Sequence, residues 1–360
     1  MKTFKICAVN GGGTIACAGE KPYKPARSAE ELLSNCKIPR NMDVELVDFE
    51  FRPDSTNQRH FQRVKLAEYI QSRYFDIDAW LFMQGTDSLA RTGGTENMIW
   101  KDTFQVPGVV IGTQFTMDEA GSEVKMTLEN ALRFLYVALT EGIVGWYNAC
   151  MGKVWRTSRL MKRQESAYDA FHEPGCDPVA FTYPDVILQG GFWLRDQKKY
   201  QAGLTLEREF ATHVNTLDAY ADAPPFPLID LVHSKRTKHG VILRCEGCGN
   251  LPNVKWPNEI DDNEYSWIDG IRIATEAGIH VGIISPFEDG TVDLTRYELG
   301  AEAKAAGAIS MVSLTQPTGD FKFRQGIARF PKDPAAIEAY LGHDFMKELL
   351  PRQVRVETQG

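Results

Sequence analysis

A chain of 360 residues with 43% hydrophobic content can bury the core of one large domain or of two ordinary ones. Its net charge of −8 is spread along the chain without a basic stripe, which argues against nucleic acid or an anionic membrane as a partner. No apolar run is long enough to cross a bilayer and the N-terminus lacks the pattern of a signal peptide. Seven scattered cysteines, an odd number, point to reduced thiols and a cytoplasmic setting.

The first element is the apolar run 4–9, a buried strand, which ends in Asn10-Gly11-Gly12-Gly13-Thr14-Ile15-Ala16. Three glycines permit a sharp turn and a close backbone approach, and they set a hydroxyl at a strand end. Gly11-x-Gly13-x-x-Ala16 also fits the dinucleotide fingerprint, which requires a helix to open at the turn. Gly19, Pro22 and Pro25 follow too soon for a long helix, and no strand-end acid comes about twenty residues later, so NAD is not expected. A second strand, 79–83, ends the same way, in Gln84-Gly85-Thr86-Asp87-Ser88.

Further strands are expected at 44–51, 108–113 and 145–151, and helices at 61–73, 93–101 and 123–140. Asn57 is the expected cap of the first of these helices. In the last, Val124, Leu128, Ala131, Leu132 and Leu135 recur at helical spacing. Such alternation predicts an α/β fold, with a mainly parallel sheet covered by helices. The pattern is lost from about residue 196 and ends in Asp222-Ala223-Pro224-Pro225-Phe226-Pro227. It resumes through 228–232, 240–245, 261–277, 280–285, 294–306 and 308–312, and a terminal helix is expected around 334–350. The expectation is two α/β domains: a larger N-terminal catalytic domain at 1–205, a linker at 206–227 and a smaller C-terminal domain at 228–360. Cys245-Glu246-Gly247-Cys248 has no further ligands at zinc spacing and reads as two thiols flanking a turn.

Taken together, these motifs resemble the L-asparaginases of the threonine-nucleophile class, nearer the cytoplasmic type I branch than the secreted one. Gly11 to Ala16 matches the family's first signature and Gly85-Thr86-Asp87-Ser88 its second. Asp54-Ser55-Thr56-Asn57 resembles its substrate-binding loop, and Gly152-Lys153-Val154-Trp155-Arg156 through Arg159 and Lys162 resembles its lysine-bearing segment. Gly249-Asn250-Leu251-Pro252 and Gly290-Thr291-Val292-Asp293-Leu294 are also similar.

Amide hydrolysis needs a nucleophile, a base that activates it and donors for the oxyanion. The resemblance implies Thr14 as first nucleophile, with Thr86, Asp87 and Lys162 as the supporting triad and Tyr23 on a lid that assists Thr14. Substrate binding falls to Gly13, Asp54, Ser55, Thr56, Thr86 and Asp87, with the α-carboxylate at Ser55 and Thr56. No cofactor or metal is implied. The expected partner is a small amide substrate, and the expected assembly a homodimer or homotetramer in which Asn250 and Glu288 reach a neighbouring site.

The implied reaction converts asparagine to aspartate and ammonia through an acyl-threonine. The rivals are a glutaminase-asparaginase, a hydrolase of another side-chain amide and a catalytically silent binding protein. The amide-hydrolysing subunit of an archaeal tRNA amidotransferase shares the motifs. It carries an extra N-terminal region, whereas this chain begins at the first strand. Three departures stand out: Gln84 where the family has histidine, an altered segment at 313–318, and a poor match over 176–227.

Overall fold

The computed structural model describes residues 2–234, 239–258, 260 and 262–351. Two compact units divide the chain, Met1–Arg208 and a second from Glu209 onward. In the first unit, β1 (Phe4–Asn10), β2 (Met42–Asp48), β3 (Ala79–Met83), β4 (Pro107–Ile111) and β5 (Ile143–Cys150) form a parallel sheet in the order β2-β1-β3-β4-β5. An antiparallel strand, β6 (Lys153–Arg156), borders β5. The inner strands read as continuous apolar runs because helices cover both faces.

Alternate residues of each strand serve opposite faces. Ile6, Ala8, Leu81, Met83, Val109 and Ile111 pack toward α1 (Ala29–Leu33) and the long α4 (Val124–Glu141). On the other face, the Tyr69 ring of α2 (His60–Ser72) lies 5.9 Å from that of Trp80 and 6.0 Å from that of Phe49. On the α2 side of the sheet lies α3 (Leu89–Trp100), which begins directly after Ser88. The sheet order reverses direction between β1 and β3. In open parallel sheets, such a switch point opens a crevice at the carboxyl ends of the two strands. Both glycine turns identified in the sequence emerge there.

A buried acid within α3 lacks a hydrogen-bond partner among the described residues. Glu96 is completely buried and neither carboxyl oxygen has a hydrogen-bond partner among the described residues. Burial pushes its carboxyl well above the usual carboxylate range, and the Arg63 charge offsets only part of that. An acid whose folded pKa is raised costs stability as pH climbs above its unfolded value. The unfolded chain ionises freely while the folded one cannot, at up to about 1.4 kcal/mol per pH unit. Glu96→Gln is therefore expected to raise Tm at pH 7 and 8 while changing it little at pH 4. Melting curves that stay parallel for the two proteins across that range would show that Glu96 ionises without cost.

The second unit holds a four-stranded parallel sheet, β7 (Val214–Ala219), β8 (Gly240–Cys245), β9 (His280–Ile284) and β10 (Ala308–Ser310), in that order. Here the sequence expectation needs correcting. Residues 214–219, inside the expected 206–227 linker, are the edge strand, and the run 228–232 belongs to a helix, α5 (Phe226–His233). An edge strand faces solvent, so Val-Asn-Thr-Leu-Asp-Ala shows no apolar run, and Pro227 is tolerated in the first helical turn because its missing donor lies among the unbonded ones. Two further helices, α6 (Trp267–Glu276) and α7 (Glu298–Ala305), share a core with Leu243, Val281 and Ile283 of the sheet.

The segment after residue 312 shows no clear element in the sequence before the expected terminal helix. It forms α8 (Gln316–Arg329), and the terminal helix, α9 (Pro334–Leu341), is shorter than the expected 334–350. Helix α8 is buried on most sides, so it lacks an amphipathic pattern and even Lys322 lies inside. That ammonium is paired with the equally buried Glu348 at 2.7 Å and also donates to the carbonyl oxygens of Leu341 and His343. The second half of the expected helix is thus an irregular segment tied beneath α8. Residues 352–360 of the expected C-terminal domain lie outside the described residues.

Candidate active site

The crevice at the β1/β3 switch point is built first from backbone. Gly13 adopts φ +77°, and a methyl group there would overlap the amide of Gly85; one on Gly85 would overlap the Ser55 hydroxyl. The two turns and the loop after β2 therefore meet at distances only glycine allows. Thr14 opens a single helical turn, Thr14–Ala16, and stands half-buried at its start.

A hairpin follows, Cys17–Ala18 pairing antiparallel with Lys24–Pro25, and Tyr23 sits on its returning limb. The base of this hairpin is fixed. The amides of Ala26 and Arg27 both donate to the Ala16 carbonyl at 2.9 Å, and the buried Asn10 side chain donates to the Arg27 carbonyl at 2.9 Å. The Tyr23 hydroxyl donates to Glu119 Oε1 at 3.1 Å, on the loop after β4.

The expected substrate loop is one short helical turn, Ser55–Asn57, capped by Asp54, whose Oδ1 accepts from the Thr56 amide at 2.9 Å. Asn57 does not cap α2, contrary to the expectation from its spacing. The cap position is Arg59, whose amide donates to the Gln62 side chain at 2.6 Å. Ser55 is buried against Gly85, while the Thr56 hydroxyl donates to Asp87 Oδ2 at 3.3 Å.

Lys162 lies on a two-residue strand, Met161–Lys162, that pairs with Phe171–His172. Its Nζ donates to Thr86 Oγ1 at 2.8 Å and to Asp87 Oδ1 at 2.7 Å. The lysine side chain is 14% exposed and the aspartate 61%, so the ammonium is largely enclosed while its counter-charge faces the crevice opening. Positive charge thus sits where an alkoxide on Thr86 would form.

Thr86, Asp87, Lys162 and Thr56 form one bonded group, and Gly13, Gly85 and Ser55 bring the Thr14 turn against it. Tyr23 is bonded to Glu119 rather than to any of these. Gln84 is buried, and its amide donates to the Gly85 carbonyl at 3.2 Å, so it braces the second turn from within. Asn250 and Glu288 belong to the second unit, in the loops that follow β8 and β9.

Two residues of this region carry no sequence motif. Gln114 Oε1 lies 3.5 Å from Thr86 Oγ1, and Glu119 holds Tyr23. Both are on the loop after β4. The signal that could have found them is positional, since every loop at the carboxyl end of a parallel sheet borders the crevice.

Comparison with known proteins adds an independent line. The family model "Asparaginase, N-terminal" matches residues 5–189. The chain is 26% identical to L-asparaginase 1 of Escherichia coli K12 over 325 residues, covering 88% of this chain and 89% of that one. It is 24% identical to a glutamyl-tRNA(Gln) amidotransferase subunit of Methanopyrus kandleri, covering 86% of this chain and 67% of that protein. The solved structure of the thermostable L-asparaginase from Thermococcus kodakarensis superposes with a TM-score of 0.81 at 22% identity, over 97% of this chain and 100% of that one.

Proposed function

Since the chain belongs to the asparaginase family and is a hydrolase, we propose that it splits the side-chain amide of L-asparagine into L-aspartate and ammonia through an ester on Thr14. The observation that carries this reading is the Lys162 ammonium bridging Thr86 Oγ1 and Asp87 Oδ1 beside the Thr14 turn. The substrate α-ammonium is taken by Asp87 and the α-carboxylate by the Ser55–Asn57 turn, which brings the Ser55 and Thr56 hydroxyls beside Gly85 and Asp87. Thr14 Oγ then bonds to the side-chain carbonyl carbon as the carbon–nitrogen bond breaks, and the threonine proton leaves with nitrogen as ammonia. Water adds to the ester in the second half and returns a proton to Thr14. Thr86 and Lys162 exchange a proton in these steps, and Asp87 holds the lysine in place.

Hydrolysis of an amide on a different or larger substrate is the second reading, favoured by the match to an amidotransferase subunit. Asparagine and glutamine differ by one methylene, and the amide lies at a set distance from the two α-anchors. A methylene in a pocket is worth about 1–3 kcal/mol, so kcat/KM for asparagine should exceed that for glutamine roughly 10- to 200-fold. Ammonia release from each substrate measures this. Equal values would replace the reading with a glutaminase-asparaginase, and no release from either would favour the larger amide or a silent binding protein. All seven cysteines are free thiols, which supports a cytoplasmic enzyme. A homodimer or homotetramer follows from the family resemblance and is read by sedimentation velocity.

A further inference from the structure

We propose that Glu119 is the residue that positions the lid. Its carboxylate accepts a hydrogen bond from the Tyr23 hydroxyl, which leaves the phenolic oxygen able only to accept. This rests on the reading that Tyr23 assists Thr14. The geometry is fixed on both sides of the carboxylate: Oε1 accepts from Tyr23 at 3.1 Å and Oε2 from the Thr116 amide at 2.9 Å. The second oxygen is thus anchored to the backbone of its own loop, independently of the tyrosine.

A second contact from the same loop binds the lid where its returning limb ends. Asp118 forms an ion pair with Arg27, whose carbonyl is itself held by Asn10. Two consecutive acids therefore grip the hairpin at Tyr23 and just beyond its last strand. The loop is closed at its own base by Glu123, which accepts from the Gln114 amide, and the Gln114 side chain reaches Thr86. One loop thus contacts both the lid and the Thr86–Lys162 pair.

The protonation states agree with this arrangement. The Thr116 amide, and then the Tyr23 hydroxyl, hold Glu119 below the usual carboxylate range, so it is ionised at neutral pH. Desolvation, followed by the bond to Glu119 and the nearby charges of Glu119 and Asp118, pushes the Tyr23 phenol up, so it keeps its proton. The Lys21 ammonium, 5.7 Å from the centre of the Tyr23 ring, is the opposing charge at this point. A neutral phenol that donates its one proton to a carboxylate can only accept from a further partner. If the Thr14 proton moves to the phenolic oxygen, the phenol's own proton passes along the existing bond to Glu119, and the carboxylate returns it as the phenol protonates the leaving nitrogen.

The test compares Glu119→Ala, Glu119→Gln and Tyr23→Phe with asparagine as substrate, together with the double variant Tyr23→Phe/Glu119→Ala. Small misplacements of a reacting group are costly, so Glu119→Ala should lower kcat roughly 10- to 100-fold and change KM by less than about threefold. Glu119→Gln keeps an acceptor oxygen and should restore most of the loss. In the Tyr23→Phe background the same alanine change should cost less than about twofold. A second readout needs no turnover: the Tyr23 phenol, followed by carbon NMR of labelled tyrosine, should titrate lower in Glu119→Gln than in the wild type.

An undiminished loss in the Tyr23→Phe background, or an unchanged Tyr23 titration in Glu119→Gln, would overturn the proposal. If the wild-type protein releases ammonia from neither amino acid, the asparagine reading fails. The titration then decides alone whether Glu119 holds the tyrosine.

Discussion

Thr14→Ala is expected to reduce ammonia release from asparagine by roughly 10³-fold or more, the scale seen when a covalent nucleophile is removed. The fold should survive. The turn is held by backbone, the Thr14 carbonyl accepting from the Cys17 amide, and by the glycine contacts on either side. Losing a half-buried methyl and hydroxyl at such a site costs about 1 kcal/mol or less, so Tm should move by only a few degrees. Thr14→Ser keeps the hydroxyl and should retain measurable turnover. Wild-type activity in Thr14→Ala would remove this residue from the nucleophile role. A serine variant as inert as the alanine one would mean that the hydroxyl is not what matters.

The second large effect is expected at the Lys162 bridge. Thr86→Val and Lys162→Met should each lower kcat about 10²- to 10⁴-fold, the range for a lost proton-transfer partner. Valine has nearly the shape of threonine, so the buried position stays filled. Methionine keeps the length of the lysine stem without its charge, and Asp87 retains its bond from Thr56. Because Lys162 touches both Thr86 and Asp87, the three act as one unit, and the Thr86→Val/Lys162→Met protein should be little worse than either single variant. Fully multiplicative losses would show that threonine and lysine work independently.

What could be read from the sequence follows burial. The strands β1, β3, β4 and β5 are enclosed on both faces, so each appears as an apolar run, and the glycine turns that end β1 and β3 mark the switch point. Strand β7 escaped because an edge strand needs few apolar residues, and α8 escaped because its charges are satisfied inside the unit and not displayed on one face. At the candidate site, Thr14 and Thr86 stand out locally by their turns. Lys162 does not. It sits on a two-residue strand without any periodic pattern, and only its register with Gly152 and Arg159 singled it out. Glu119 carries no motif, only its position on a loop at the carboxyl end of the sheet, since its partner Tyr23 is 96 positions away and only the fold joins them.

The nearness of Gly13 to Gly85 gives a reason for two separate threonine turns in one crevice. Each delivers a hydroxyl from a different strand end, and a side chain on either glycine would force the two turns apart. One hydroxyl is bonded to the lysine; the other opens the turn that leads into the hairpin carrying Tyr23. This division matches a reaction in two halves, with one threonine forming the ester and the other serving the proton traffic.

The most direct test of that account is peptide mass mapping of enzyme quenched with acid during turnover of asparagine, with the Lys162→Met variant used to slow ester breakdown. The account predicts an aspartyl adduct on the peptide containing Thr14, absent from Thr14→Ala. An adduct carried by Thr86, or ammonia released in a full single turnover with no adduct on either threonine, would contradict it.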